Sequence, residues 1–363
     1  MRPHASRVLY LAAGLTALLA AGAQAQTVRQ YVFEPRADGQ AYQLAMKEVP
    51  RPTAGPHEVL VRMHAAGLNG ADDLRMLDAK PGTGRDFTGG IPLTDGAGEV
   101  IALGKDVTRF KIGDRVVGIY FPTWIRGKPT REALRSPRRG PYGMLSEVVA
   151  ANEEGLVRVP DYLSYEEAAT LPTSGVTAWS ALFKYGRVQP GQYVLLEGTG
   201  GVSTFGLLFA KAAGAMPIVT SSSDSKLERA RALGAVGTAN YRTNPDWQEN
   251  VRALTGGAGV DHVLDVGGKD TLPRAMQALA FGGHIALIGD LSGDLPEIPN
   301  RLGPGASLTF VLVGSREDFE AMSAFCVEHQ IHPLIARVFE FEHAPEAFEF
   351  AHGDPMGKVV IRF

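Results

Sequence analysis

The chain has 363 residues, 45% of them hydrophobic and 21% charged, an ordinary globular balance at a length that suggests about two domains. A net charge of −3 gives no global reason to expect nucleic acid or an acidic membrane as partner. A single cysteine, Cys326, leaves no internal disulfide and no cysteine-rich zinc site, and it reads as a core residue.

The first predicted element is a leader. Arg2 and Arg7 precede an apolar run over 8–23, and Ala23-Gln24-Ala25 supplies the small-x-small pattern favoured by signal peptidase. The run is short for a span and lacks a stop-transfer flank. Residues 1–25 are therefore expected to be a signal peptide, with Gln26 first in a periplasmic or secreted mature chain and no stable membrane span after cleavage. The leader has no twin arginine, which argues against export of a folded chain. An uncleaved anchor, or a cytoplasmic protein starting near Val28, remains the alternative.

Residues 30–66 alternate apolar and polar side chains between Pro and Gly breaks, with a strand over 58–63. Two further strands flank a Gly-Asp turn within 100–118. This half reads as a compact β-barrel-like domain. At 122–141 the texture changes: Arg126, Lys128, Arg131, Arg135, Arg138 and Arg139 face one acid, Glu132. A solvated insertion is the plain reading. A lid that draws anionic groups to a site, with Trp124 as its cover, is the sharper one.

From about 177 onward, strands and helices alternate. Strands are predicted at 192–197, 216–220, 236–241, 260–266, 284–288 and 308–313, and helices at 202–213, 225–233, 245–254 and 271–280. Short apolar strands between amphipathic helices indicate a parallel sheet covered on both faces. A last strand over 358–363 is expected to return to the first domain.

One motif carries the chemistry. VLLEGTGGVSTFG (194–206) runs an apolar strand into Gly198, Gly200 and Gly201 and opens a helix at Val202. Glycine permits the tight turn, and the helix start offers free N–H groups to a diphosphate. Ser203 stands where the third glycine of the dinucleotide fingerprint would be, so the pattern is a variant. An NAD site usually places an acid at the end of the second strand. This chain has Ser221, Ser222 and Ser223 there, with Lys226 close behind. Hydroxyls and an ammonium suit a 2′-phosphate, so NADP is expected as cofactor; Asp224 keeps NAD open.

With these blocks in view, the chain resembles the medium-chain dehydrogenase/reductase superfamily, most of all its zinc-free quinone oxidoreductase-like and alcohol dehydrogenase-like branch. The matching text is GPHEVLVRMHAAGLNGADDL (55–74), DGAGEVIALGKDVTRFKIGDRVVG (95–118), EEAATLPTSGVTAW (166–179), EGTGGVSTFGLLFAKAAGA (197–215) and LERARALGA (227–235). The resemblance implies an α/β chain. A GroES-like β-barrel catalytic domain over 28–155 would be rejoined by 325–363. A Rossmann domain with a doubly wound parallel sheet would cover 156–324, with NAD(P)(H) in the cleft and often a homodimer. Carried over by position, Gly198, Gly200, Gly201 and Val202 match the pyrophosphate loop. Ser221, Ser222, Lys226 and Tyr241 match the adenosine-phosphate positions. Thr177, Gly289, Leu291 and Val313 lie around the nicotinamide.

Zinc-dependent relatives carry a Cys and a Gly-His-Glu where this chain reads Leu68-Asn69-Gly70 and Asp95-Gly96-Ala97. The pair His329 and His332 lacks a third ligand. No metal is therefore expected. Carbonyl polarisation would fall to hydrogen bonds, with Asn69 as donor, Asp73 beside it and Tyr120 as proton donor. Trp124 and Tyr142 are further pocket candidates. Gly70 replaces an aromatic residue of many relatives and leaves the substrate class open. The expected reaction is hydride transfer from NAD(P)H to a small quinone, enone or related carbonyl. Oxidation of a small alcohol, or nucleotide binding with little turnover, are the alternatives.

Overall fold

The computed structural model describes residues 27–84, 86–134, 143–293 and 302–363. The expected leader, Arg135, Arg138, Arg139 and Tyr142 lie outside the described residues.

The first half is built on strands β1 (Thr27–Pro35), β2 (Tyr42–Pro50), β3 (Glu58–Leu68), β4 (Asp95–Leu103), β5 (Arg115–Gly118), β6 (Val148–Asn152) and β7 (Leu156–Arg158). The next six are β8 (Tyr193–Glu197), β9 (Met216–Ser221), β10 (Gly237–Asn240), β11 (Val260–Asp265), β12 (Leu279–Leu287) and β13 (Ser307–Phe310). The chain ends with β14 (Ile335–Glu340) and β15 (Lys358–Arg362).

β1 and β2 form an antiparallel hairpin. A seven-stranded sheet runs β14-β15-β3-β4-β5-β7, with β6 also on β3. The C-terminal strand therefore lies antiparallel against the end of β3, pairing Val359 with Leu68. That pairing brings two distant stretches, 68–69 and 358–359, to one place.

The second sheet has six strands, all parallel, in the order β10-β9-β8-β11-β12-β13. In sequence terms this is 3-2-1-4-5-6, whose order reverses between β8 and β11. β8 is buried along Val194–Glu197, as a central strand covered on both faces must be. The helices Gly201–Ala212, Asp224–Leu233, Trp247–Leu254 and Leu272–Ala278 connect the strands. Two boundaries differ from the sequence expectation. β12 begins at Leu279 because that residue is already extended (φ −70°, ψ 140°) and buried, which cuts the helix short. β13 stops at Phe310, and Val313 beyond it has φ 35°, incompatible with a strand.

Candidate active site

In an open parallel sheet, ligands bind outside the carboxyl ends of the strands where the order reverses. Here that point is the turn after Glu197. Gly198 takes φ 74°, a left-handed conformation, and Gly200 caps the helix that starts at Gly201. A side chain begun at either Gly198 or Gly200 meets nothing within 4 Å, so the turn has an open face. The first turn of a helix leaves its N–H groups without intrahelical partners, which gives that face an affinity for anions.

The variant fingerprint has a structural reason. Ser203 donates its hydroxyl to the Glu197 carbonyl at 2.6 Å, tying helix to strand through a bond glycine could not make. Close helix–sheet packing falls instead to Gly206, where a Cβ would stand 2.7 Å from Leu196 Cδ2.

Below the turn lies a buried polar ring. Lys358 Nζ donates to Asn69 Oδ1 at 2.5 Å. Asn69 Nδ2 donates to Thr173 Oγ1 at 3.2 Å, and the Thr173 hydroxyl donates to Asp95 Oδ1 at 2.5 Å. Asp95 Oδ2 accepts the Thr173 amide at 3.1 Å and faces Lys358 Nζ at 3.9 Å, which closes the circuit. Asp95 is fully buried and Lys358 only 3% exposed. Burial raises the Asp95 carboxyl above its ordinary range, against the lowering pull of Lys358 and Thr173. The stem of Lys358 passes under the glycine turn: a Cβ on Gly201 would stand 2.7 Å from Lys358 Cδ and 2.5 Å from Ser174 Oγ. One side chain thus connects the diphosphate turn to Asn69.

Asn69 precedes a π-helical turn, Gly70–Leu74, and Thr173 sits in another, Leu171–Gly175. Such turns re-aim side chains inside helices. Asp73 accepts the Asn69 amide at 2.7 Å, so its carboxylate anchors the turn that presents Asn69. Tyr120 is buried, edge-on to Phe121. Trp124, expected as a cover, is instead buried beside Phe121, with its indole N–H donated to the Gly127 carbonyl.

The adenosine-side residues gather at the end of β9. Ser221 is buried, its carbonyl accepting the Tyr241 amide at 3.1 Å, while Ser222 is partly exposed and Tyr241 more so. Asp224 is turned aside and accepts from Asn240 Nδ2 at 2.7 Å. Lys226 Nζ is paired with Asp354 Oδ2 at 2.9 Å. On the other side, Thr177 is buried in the short helix Val176–Trp179, Val202 is partly exposed and Leu291 is exposed. Gly289 packs against the Val266 carbonyl, leaving no room for a Cβ. Val313, a β-branched residue, holds φ 35°, a strained conformation of the kind found at ligand sites.

His329 and His332 do not converge: His332 pairs with Glu167 Oε1 at 2.6 Å, and His329 packs on the Phe325 ring. Among the described residues no group of three or more His, Cys, Asp or Glu is placed to hold a metal ion. Cys326 is buried, and burial pushes its thiol up to about 12, which makes it inert.

Residues 55–161 match the family described as alcohol dehydrogenase GroES-like domain, and residues 201–328 the one described as zinc-binding dehydrogenase. A zinc-type alcohol dehydrogenase-like protein of Schizosaccharomyces pombe is 40% identical over 87% of this chain and 93% of its own length. The chain belongs to the medium-chain dehydrogenase/reductase superfamily. Among solved structures, a putative alcohol dehydrogenase from Sinorhizobium meliloti superposes with a TM-score of 0.82 at 38% identity, covering 93% of this chain and 99% of that one. A mycobacterial protein solved with NADPH gives 0.75 at 26% identity, covering 93% and 100%.

A zinc-binding family raises the question of whether these residues suit zinc. Zinc takes thiolates, imidazoles and carboxylates, usually three from the protein. This ring offers one carboxylate, an amide oxygen already taken by an ammonium, and the ammonium itself, which repels a divalent cation. The donor set does not fit. Asp95, Thr173 and Lys358 were the functional candidates that sequence reasoning missed.

Proposed function

We propose that this chain is a zinc-independent oxidoreductase that uses NAD(P)H, with NADPH favoured, to reduce a small quinone, enone or related activated carbonyl. The observation that carries the reading is the buried Asn69–Thr173–Asp95–Lys358 ring set against an open glycine turn. A nicotinamide dinucleotide in that crevice supplies the hydride. The turn and the start of the helix Gly201–Ala212 hold its diphosphate. Lys358 fixes the Asn69 side-chain amide with its oxygen toward the ammonium, and Nδ2, which rests on Thr173 Oγ1, would exchange that contact for a substrate carbonyl oxygen. The buried ammonium stabilises negative charge developing on that oxygen, the part a metal plays elsewhere. Asp95 and Thr173 hold donor and cation in register.

The test is NADPH and NADH oxidation by metal-free protein against a panel of quinones and enones, beside NADP+ and NAD+ reduction with a panel of alcohols. Carbonyl reduction without added metal supports the proposal. Turnover confined to alcohols supports the rival reading, which the alcohol dehydrogenase-like relatives favour. No binding of either nucleotide refutes both. Export rests on the leader in the sequence alone, and N-terminal sequencing that finds Gln26 first in a periplasmic or secreted fraction would support it. No helix among the described residues is long and apolar enough to cross a membrane.

A further inference from the structure

Between the helix Ala344–His352 and β15, residues 353–358 form a clasp over the glycine turn. At one end Lys226 Nζ donates to the Asp354 carbonyl and pairs with its carboxylate, Oδ2 lying 2.9 Å away. In the middle the Gly357 amide donates to the Thr199 carbonyl at 2.9 Å, and Gly357 bridges Gly200 in the glycine turn. At the other end Lys358 reaches Asn69. The clasp is held in shape by the buried Met356 and by two left-handed residues, Asp354 at φ 49° and Gly357 at φ 95°. At Gly357 a Cβ would stand 2.4 Å from the Leu334 carbonyl oxygen.

Lys226 is the ammonium that follows the hydroxyls of Ser221, Ser222 and Ser223, where the adenosine ribose of a dinucleotide lies. Asp224, the acid of this same helix start, accepts from Asn240. An incoming 2′-phosphate therefore meets a Lys226 already engaged by a carboxylate, and both anions need the same cation. NADH carries no such phosphate and leaves the pair intact.

We propose that Asp354 is a cofactor-selectivity residue: it competes with the 2′-phosphate of NADPH for Lys226 and holds the preference for NADPH over NADH below what the site would otherwise give. This inference rests on the dinucleotide reading of the previous section. Its chemistry is a competition between two anions, with no covalent step.

Asp354→Asn is the test. The Asp354 side chain is 71% exposed, its carbonyl bond to Lys226 survives the change, and asparagine tolerates the left-handed backbone. With a quinone or enone substrate that supports turnover, or by direct titration, the ratio of NADPH to NADH preference is expected to rise at least about threefold, through a tighter response to NADPH with NADH little changed. The gain should shrink with added salt. Lys226→Met should cost NADPH more than NADH, and adding Asp354→Asn to it should change the ratio no further. The inference is overturned if Asp354→Asn shifts both cofactors alike, or raises the ratio equally in the Lys226→Met background. If the unaltered protein binds neither nucleotide, the dinucleotide reading itself is what fails.

Discussion

Lys358 donates to Oδ1 of Asn69 across 2.5 Å, although 289 residues separate them in the chain. The pairing of β15 with the end of β3 makes this possible, by setting Val359 opposite Leu68. An ammonium so buried is costly unless paired, and Asp95 and Asn69 together supply the compensation.

Lys358→Met is therefore expected to act twice. Loss of an aligned cationic donor should lower kcat/KM for carbonyl reduction by about 10²–10³-fold. Leaving Asp95 buried without its partner should cost about 3–5 kcal/mol of stability. Adding Asp95→Asn should restore most of the stability lost, read by urea unfolding, but not turnover. Recovery of turnover in the double variant would show that the ammonium serves only the fold.

The two neighbouring glycines of the turn should separate binding from folding. Gly200→Ala places a methyl group where nothing stands within 4 Å, on a backbone with φ −73° that alanine adopts freely. The fold should keep its melting temperature within a few degrees, while dinucleotide affinity, followed by NADPH fluorescence, drops at least about tenfold because the methyl fills the diphosphate's space. Gly201→Ala drives a methyl into Ser174 and the Lys358 stem, and should cost about 1–3 kcal/mol as well. Equal NADPH affinity in Gly200→Ala and the unaltered protein would place the diphosphate elsewhere.

What the sequence made legible follows physical lines. The run from Val194 to Gly206 announces itself because strand, turn and helix start must be contiguous, and the alternating strands and helices after it carry period and composition signals. The ring was legible only at Asn69. Asp95 and Lys358 look like a strand-edge carboxylate and a surface lysine when read locally, and only β-sheet pairing across the chain brings them together. Thr173 was hidden by a π-helical turn that no simple periodicity marks. Lys226 was found, but its partner Asp354 lies 128 residues away along the chain.

Metal removal should be without effect. Prolonged dialysis against a strong chelator, checked by elemental analysis, is expected to leave carbonyl reduction unchanged, and added zinc should not raise it. A loss on chelation that zinc alone restores would reverse the zinc-independent reading.

Glu197 and Asp265 close the neighbouring strands β8 and β11 at the switch point, and both are buried. Burial, then the charge of Asp265, pushes the Glu197 carboxyl well above its ordinary range, so the folded protein keeps a proton there that the unfolded chain releases. Stability tied to this site is present below the unfolded carboxyl's pKa and is lost as pH rises through the raised value. Glu197→Gln keeps the shape without the charge. It should gain about 1–3 kcal/mol over the unaltered protein at pH 8 and little or nothing at pH 4, measured by urea unfolding. An equal effect at both pH values would mean that folding does not raise the Glu197 pKa.

His262 supplies the opposite slope. Its ring is buried in β11, donates from Nε2 to Gln192 Oε1 at 2.9 Å, and lies edge-on to His284 at 6.3 Å. Burial, reinforced by His284, lowers its pKa from 6.5 to about 4. Between those values the unfolded chain takes up a proton that the folded chain refuses. Stability is therefore full above pH 6.5 and falls as pH drops toward 4, by up to about 3 kcal/mol from this group. His284, also lowered by burial, adds its own share to the same acid limb. His262→Gln should remove the His262 portion, so that the difference in unfolding free energy between pH 7 and pH 4.5 shrinks by about 2–3 kcal/mol. The midpoint at pH 7 should fall, because a well-packed ring is lost. If the variant keeps the full acid slope, folding does not lower the His262 pKa and the ring takes up its proton as readily in the folded protein as in the unfolded chain.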